Sequence, residues 1–417
     1  MQKLHRLCCT LVLLTGVGVV AQTPSPMTWD QVRHSFERNN PTLLAGQLNI
    51  DESKAQEITA YLRPNPTLSL TADQFQLPGG PTHSCCGDLL TVAGLSYLHE
   101  REHKRELRLE SARKGTAIAL STQAELERSL LFGLRSAFVS TLQAKAVSQL
   151  AKDNLAYYDH VLDLSRIRFK AGDIAQIDLD RLELQRVQYE SDLETADVNL
   201  RTAKITLLTL LNDRTPIDKF DVSGTFDFSE LPMTQDEFRK IALDNRPDLK
   251  AAVQAVDKAN TDHKLAVSNG AADPTLGVDA GRNQPLDQYV GINVSIPLRF
   301  FDRNQGEKLR TQIDITRNER LRDASEAQVF SDVDSGYATL DGTVKLLMPY
   351  KAKYLQQSVR VRDTILFSYK NGGASLLDFL NAESEYRSVQ LAYVNLVGSY
   401  LTAAAQLNMA VGREVIQ

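Results

Sequence analysis

Two short groups of soft ligands are the first candidates for chemistry in this sequence. His83, Cys85 and Cys86 lie close together, and imidazole and thiolate groups at this spacing could bind Cu(I) or Zn(II). A tetrahedral site needs more ligands than this segment offers, so a vicinal disulfide or unpaired surface thiols are the favoured interpretation. His99 and His103, at positions i and i+4, could together bind a metal ion. The simpler interpretation is that they belong to a ring of polar residues at the membrane boundary. The sequence therefore predicts no bound metal.

No other pattern in the sequence predicts catalysis or a cofactor. The 417 residues include 7 histidines, none in a catalytic pattern, and we find no nucleophile elbow, P-loop, zinc-protease helix or dinucleotide fingerprint. The formal net charge is -5, and it becomes -7 without Lys3 and Arg6, which argues against nucleic acid as a partner. We expect a protein that is not an enzyme and needs no cofactor.

The first 21 residues have the pattern of a secretory signal peptide. Lys3 and Arg6 form the charged start, residues 11–20 form the apolar stretch, and Ala21 ends a small-residue cleavage site. The apolar stretch is too short to span a bilayer comfortably. We therefore expect cleavage after residue 21 and export of the chain.

Asp178 and Asp378 are the remaining candidates, and they occupy equivalent positions of an internal repeat with an offset of 200 residues. RFKAGDIAQIDLDRLELQ (168–185) aligns with SYKNGGASLLDFLNAESE (368–385), with a lysine, a glycine and the aspartate in the same places. Apolar residues then recur in both copies at alternating steps of four and three, which is the period of a coiled-coil seam. The repeat predicts a duplicated long helical hairpin.

Each half of the chain follows one plan of two helices, two strands, a very long helix and a return helix. The strands are predicted at about 66–76 and 89–98 in the first repeat (22–211), and at about 274–283 and 288–298 in the second (234–411). The hairpins are predicted at about 99–211 and 305–411, with a linker at 212–233 and a tail at 412–417. The first long helix would measure roughly 105 Å, and Pro349 should make the second one irregular.

The four strands have the length and alternation of membrane β-strands, with one face for lipid and one for water. Four strands cannot close a barrel, and hydrocarbon does not tolerate an open sheet edge. The chain would therefore share a barrel with copies of itself. Two chains together would give 8 strands, and three would give 12. A small soluble β-element joined to a coiled coil is the alternative.

The duplicated plan, the two turn segments above, NRPDL (245–249) and VSIPL (294–298) together make the chain resemble the TolC-like outer-membrane efflux channels. The resemblance covers nearly all of the mature sequence. It implies a mainly α fold with a small β part. Three subunits would form a homotrimer with a shared 12-stranded β-barrel in the outer membrane and a trimeric α-barrel tunnel across the periplasm.

The resemblance also implies a function, that of a passive exit duct in the outer membrane of a Gram-negative-type bacterium. The duct would dock with a periplasmic adaptor protein and an inner-membrane pump, and the pump would supply the energy. The exit component of a type I protein secretion system and a structural periplasmic coiled-coil scaffold are the alternative functions. The exposed hairpin tips would form the docking surface for the adaptor, with Gly172, Asp173, Gly372 and Gly373 in it.

Polar links and acidic rings close the periplasmic end of the channels in this family. The resemblance places Asp378 at the first acidic ring and Asn381 at the second, Ala374 at the gate arginine and Tyr369 at a gate tyrosine. One acidic ring would still concentrate cations in a throat of low dielectric. Asp378 could instead cap a helix, which is the interpretation we favour for Asp178.

Overall fold

A computed structural model of the protein describes residues 25–73, 90–283 and 286–416, which are mostly helical with one small sheet. This confirms the predicted mainly α class with a small β part. The predicted signal segment 1–21 and the candidate ligands His83, Cys85 and Cys86 lie outside the described residues. Across the described ranges, no helix is both long and apolar enough to cross a membrane.

The first half of the chain begins with α1 (Trp29–Asn39), where the Thr28 amide donates to Gln31 Oε1 at 2.9 Å. The elements that follow are α2 (Pro41–Tyr61), β1 (Thr67–Asp73), β2 (Leu90–Leu98), α3 (Lys104–Ala171) and α4 (Gln176–Leu210). The 68 residues of α3 extend over about 100 Å.

The second half repeats this order and even the first helix cap. The Thr234 amide donates to Glu237 Oε2 at 2.8 Å at the start of α5. The elements are α5 (Gln235–Asn245), α6 (Pro247–Ser268), β3 (Thr275–Asn283), β4 (Leu286–Ser295), α7 (Gln305–Pro349), α8 (Leu355–Lys370) and α9 (Leu376–Val411). A π-helical turn, Tyr350–Tyr354, separates α7 from α8. The irregularity predicted at Pro349 is confirmed, because proline lacks the amide that a regular helix needs there.

The described strands form an antiparallel sheet in the order β1-β2-β3-β4, in which β2 and β3 join the two halves of the chain. Directly paired residues make one face apolar and the other polar or glycine-rich. The apolar rows are Leu68, Leu95, Val278 and Ile292, and Leu70, Ala93, Ala280 and Val290. A polar row on the opposite face is Ser69, Gly94, Asp279 and Gly291. Within the described residues, the outer edges of β1 and β4 have no partner strand.

The long helices form a single layer. Helix α3 packs against α2 and α4 on one side and against α6 and α9 on the other, and α7 packs against α6 and α9. The order across the layer is therefore α2 and α4, then α3, then α6 and α9, then α7 and α8. This arrangement leaves α2 and α4 on one edge of the layer and α7 and α8 on the other.

The predicted seams lie on the packed faces of α4 and α9. All fourteen seam residues are buried or partly buried, which confirms the coiled-coil interpretation. They are Tyr189, Leu193, Ala196, Leu200, Ala203, Leu207 and Leu210 in α4, and Val389, Tyr393, Leu396, Tyr400, Ala403, Leu407 and Ala410 in α9.

The predicted start of the first long helix at residue 99 is wrong. Glu102 and His103 have φ angles of 55° and 53°, in the left-handed region, so the regular helix begins only at Lys104. The amide of His99 donates to the carbonyl of Pro274 at 2.9 Å instead. His99 and His103 are therefore not neighbours on a helix.

The predicted span of β4, residues 288–298, is also displaced, since the strand covers Leu286–Ser295. Its partner β3 begins at Thr275, which pairs with Ser295. Pro274 precedes Thr275 and has no amide to donate, so the ladder ends there.

Candidate functional site

The two hairpins end in turns with the same backbone geometry. Gly172 and Gly372 have φ angles of 84° and 76°, a region that glycine reaches without a steric penalty. The amide of Asp173 donates to the Arg168 carbonyl at 2.9 Å, and the amide of Gly373 donates to the Ser368 carbonyl at 2.8 Å. These are equivalent helix-ending bonds. Gly172, Asp173, Gly372 and Gly373 are all exposed at the tips.

Asp378 caps the start of α9. Its Oδ2 accepts hydrogen bonds from the Ser375 amide at 3.0 Å and the Ser375 hydroxyl at 2.7 Å, and the Asp378 amide donates to Ser375 Oγ at 3.1 Å. The hydrogen bonds from Ser375 hold the pKa of the Asp378 carboxyl below its usual range. Asp378 is thus an exposed, ionised carboxylate at neutral pH, and the capping role is present in the structure.

The other residues predicted for the gate lie near Asp378, and none of these three side chains is charged. Asn381 is exposed and stands three residues after Asp378, on the same face of α9. Ala374 is half-buried and packs against the apolar cluster beneath the tips. Tyr369 is buried, and its ring stacks on Phe379 with 5.4 Å between centroids.

A cation from the other hairpin meets Tyr369. The Arg168 guanidinium lies 5.2 Å from the centre of the Tyr369 ring, and Arg168 donates to the Tyr369 carbonyl at 3.4 Å. The sequence did not indicate this contact, because 201 positions separate the two residues. It links the outer hairpin (α3 and α4) to the inner hairpin (α8 and α9).

An apolar cluster beneath the turns joins these two hairpins, and we call it the tip cluster. Its buried members are Tyr158, Val161, Leu162, Leu179, Leu182 and Tyr189 from the outer hairpin, and Tyr369, Leu376 and Phe379 from the inner one. The tip cluster holds the inner hairpin against the outer hairpin at the end where the resemblance places the gate.

A buried polar group adjoins the tip cluster, and sequence reasoning missed it. Glu383 of α9 is 2 % exposed, and its Oε1 has no hydrogen-bond partner among the described residues. The nearest cation is Arg362, whose Nε lies 4.0 Å from that oxygen. A glutamate within a heptad helix carries no signal in the sequence that would distinguish it from a solvated one.

The edges of the layer carry exposed apolar side chains. On one edge these are Leu48 and Ile58 of α2 and Leu184, Val187 and Val198 of α4. On the other edge they are Leu309, Ile313, Leu321 and Leu346 of α7 and Phe367 of α8. Among the strands that the structure describes, β1 and β4 also each have one edge without a partner strand. The chain therefore has exposed apolar surfaces on two opposite sides.

No group of three or more histidine, cysteine, aspartate or glutamate side chains in the described part of the chain is arranged to hold a metal ion. The histidine pair at 99 and 103 thus does not belong to such a group.

Residues 239–413 match the family model of the outer membrane efflux proteins. We call this part of the chain the efflux protein domain because of its similarity to that family. It extends from within α5 to the end of α9 and includes both strands of the second half.

Two curated relatives extend the similarity of the efflux protein domain to the rest of the chain. The pyoverdine export outer membrane protein OpmQ of Pseudomonas aeruginosa is 25% identical over 336 residues, which are 77% of this chain and 69% of the relative. The cobalt-zinc-cadmium resistance protein CzcC of Cupriavidus metallidurans is 23% identical over 427 aligned positions, covering 96% of this chain and 94% of the relative.

A solved channel structure shares the fold. The outer membrane protein VceC of Vibrio cholerae superposes with a TM-score of 0.75 over 92% of this chain and 96% of that one, at 14% identity. The TolC-like fold predicted from the sequence is thereby confirmed.

Proposed function

We propose that this chain is one subunit of the outer-membrane exit duct of a tripartite efflux system. The duct conducts substrates passively across the periplasm and the outer membrane. The efflux protein domain, the channel fold and relatives that act in pyoverdine export and cobalt-zinc-cadmium resistance support this function. These relatives serve chemically different substrates, so the shared fold does not specify a cargo, and we assign the choice of cargo to the pump.

The observation that carries the proposal is a sheet that is apolar on one face, polar on the other and open at both edges. An apolar face suits lipid, while an open edge leaves amides and carbonyls that hydrocarbon cannot satisfy. Pairing β4 of one copy with β1 of the next removes every open edge. Three copies would supply twelve strands, an even number within the range of outer-membrane barrels.

The same closure covers the edges of the helical layer. Exposed apolar side chains on α2 and α4 would meet those on α7 and α8 of the next copy. Each subunit would then contribute the four helical rows of its layer to a periplasmic α-barrel. In the homotrimer, therefore, the sheet and the helical layer would both close into barrels.

Docking with the periplasmic adaptor is proposed at the hairpin tips. Gly172 and Gly372 have open space where a side chain would begin, and both turns present the same exposed backbone. Two equivalent tips per subunit would give a trimer six similar contact points. An adaptor held there would connect the duct to an inner-membrane pump.

Chemical cross-linking tests the assembly. We expect the detergent-solubilised protein to give a trimer as the largest species, and the reconstituted trimer to form pores in planar bilayers. The apolar edges supply the driving force, because they lose their water only in the assembly. A protein that stays monomeric at every cross-linker concentration would contradict the proposed duct.

Asp378→Asn should reduce the preference of these pores for cations. The substitution removes one negative charge per subunit from the first turn of α9, and the amide oxygen can still accept the hydrogen bonds from Ser375. The measurement is the reversal potential in a salt gradient, with Asp173→Asn at the outer hairpin turn as the matched control. An unchanged reversal potential in Asp378→Asn would show that this carboxylate lies outside the constriction.

A further inference from the structure

We propose that Glu383 is a proton-sensitive brace between the outer and inner hairpins, which packs them together when it is protonated and loosens them when it is ionised. The consequence for transport rests on the proposed function: a duct of this kind would stay shut at its periplasmic end in acid. The packing itself is a property of the chain that can be measured without transport.

Glu383 lies where four helices meet. Helix α3 brings Tyr157 and Tyr158 to the group, α4 brings Tyr189 and Asp192, and α8 brings Arg362 and Asp363. Its own helix adds Tyr386 and Arg387. Three buried atoms here have no hydrogen-bond partner among the described residues, namely Glu383 Oε1, the Tyr157 hydroxyl and Arg387 Nε. A buried polar group without a partner costs free energy, so this packing is sensitive to the charge of Glu383.

Both nearby cations are already engaged by other carboxylates. Arg362 Nε donates to Asp363 Oδ1 at 2.9 Å, and the guanidinium lies 4.7 Å from the Tyr157 ring centre and 4.1 Å from that of Tyr386. This leaves Arg362 at 4.0 Å from Glu383, beyond hydrogen-bond distance.

Arg387 is held in a similar way from the outer hairpin. It donates to Asp192 Oδ2 at 3.0 Å and lies 4.2 Å from the centre of the Tyr189 ring. Two arginines thus face two aspartates, and an ionised Glu383 is a third negative charge in a buried place.

Burial raises the pKa of Glu383, while Arg362, the Tyr157 hydroxyl and Arg387 oppose the increase and Asp363 adds to it. A carboxyl with a raised pKa in the packed state binds its proton more tightly there than when the hairpins separate. The packed state is therefore most stable in acid, and it loses stability as the pH rises through the interval between the ordinary and the raised pKa.

A groove between the hairpins lies next to the group. The groove has a volume of about 610 Å³ and lies between α3, α4 and α9. Tyr189, Asp192 and Arg387 line it, and these residues surround Glu383 on its outer-hairpin side.

Hydrogen–deuterium exchange of the full-length protein in detergent tests the brace. Wild type and Glu383→Gln are compared at equal pH, so that the intrinsic exchange chemistry cancels, and the readout is the amides of residues 376–390. At about pH 8 we expect exchange in the wild type to be about tenfold faster than in Glu383→Gln, and at about pH 4, below the ordinary pKa of a glutamate, we expect equal rates. Equal rates at both pH values would overturn the proposal.

Two further variants keep the test specific. Glu385→Gln removes an exposed carboxylate two positions away on the same helix, and it should exchange like the wild type. Arg362→Gln removes the closest cation and so raises the pKa of Glu383 in the packed state further, which should move upward the pH at which exchange stops accelerating. A shift downward, or a Glu385→Gln profile that matches that of Glu383→Gln, would also overturn the brace. Pore formation plays no part in this readout, so a failure to form pores bears on the proposed function instead.

Discussion

Phe379→Ala is expected to lower the free energy of unfolding by about 3–5 kcal/mol and to increase the open fraction of reconstituted pores. Phe379 is fully buried in the tip cluster and stacks on Tyr369. Alanine would leave a cavity between the inner and outer hairpins, where both sides lose packing contacts. The inner hairpin would then separate more easily from the outer one. Urea unfolding followed by circular dichroism gives the stability, and single-channel recording gives the open fraction.

Leu377→Ala is the matched control for this experiment. Leu377 lies on the same turn of α9 but is 64% exposed, so its truncation should change stability and open fraction very little. If Phe379→Ala unfolds at the wild-type urea concentration, the tip cluster does not hold the hairpins together. If it is destabilised but its open fraction is unchanged, closure depends on contacts between subunits instead.

The sequence predicts those parts of the fold whose signal is periodic or local. The 3.5-residue steps located the seam of α4 and α9, and strand alternation located a sheet with one apolar face. The cap formed by Asp378 was foreseeable because its partner Ser375 is three positions away. Exceptions arose where a local backbone state overrode the pattern, as at His103, whose left-handed conformation delays the start of α3.

Contacts between distant segments were beyond such reasoning. The Arg168–Tyr369 pair and the buried Glu383 depend on how α3, α8 and α9 pack, and no spacing within one helix encodes that packing. The sequence already shows that Ala374 and Asn381 replace the arginine and the acidic residue that the family has at these positions. What these replacements imply for the gate depends on the residues that pack around them in the structure. The structure shows that an arginine does reach Tyr369, from the outer hairpin rather than from position 374.

The NRPDL segment illustrates the same limit, because the sequence shows it only as part of the family resemblance, whereas its role in the structure is to join helices. Arg246 is 3 % exposed at the junction of α5 and α6, and it donates to Asp248 Oδ1 at 2.9 Å, to Asp332 Oδ2 at 2.7 Å and to the Ala410 carbonyl at 3.3 Å. Burial acts to lower the pKa of Arg246, but the two carboxylates raise it overall. One side chain thus ties the start of α6 to α7 and to the end of α9.

Arg246→Met is therefore expected to destabilise the protein by about 3–5 kcal/mol, the range for breaking a buried ion pair by removing one partner. Asp248 and Asp332 would keep their charges without the guanidinium, and the Ala410 carbonyl would lose a donor. The measurement is the free energy of unfolding in urea at neutral pH, where both carboxylates are ionised.

Arg239→Gln provides the comparison that separates burial from charge. Arg239 also pairs with an aspartate of α7, with 2.7 Å between its Nη2 and Asp334 Oδ2, but both side chains are about one-third exposed. Solvent screens that pair and hydrates Asp334 after the substitution, so its loss should be much smaller than that of Arg246→Met. Equal losses in the two variants would mean that the charge pairing to α7, and not the buried position of Arg246, sets its contribution. A smaller loss for Arg246→Met would mean that water hydrates Asp248 and Asp332 after the substitution, since their side chains are 27% and 34% exposed.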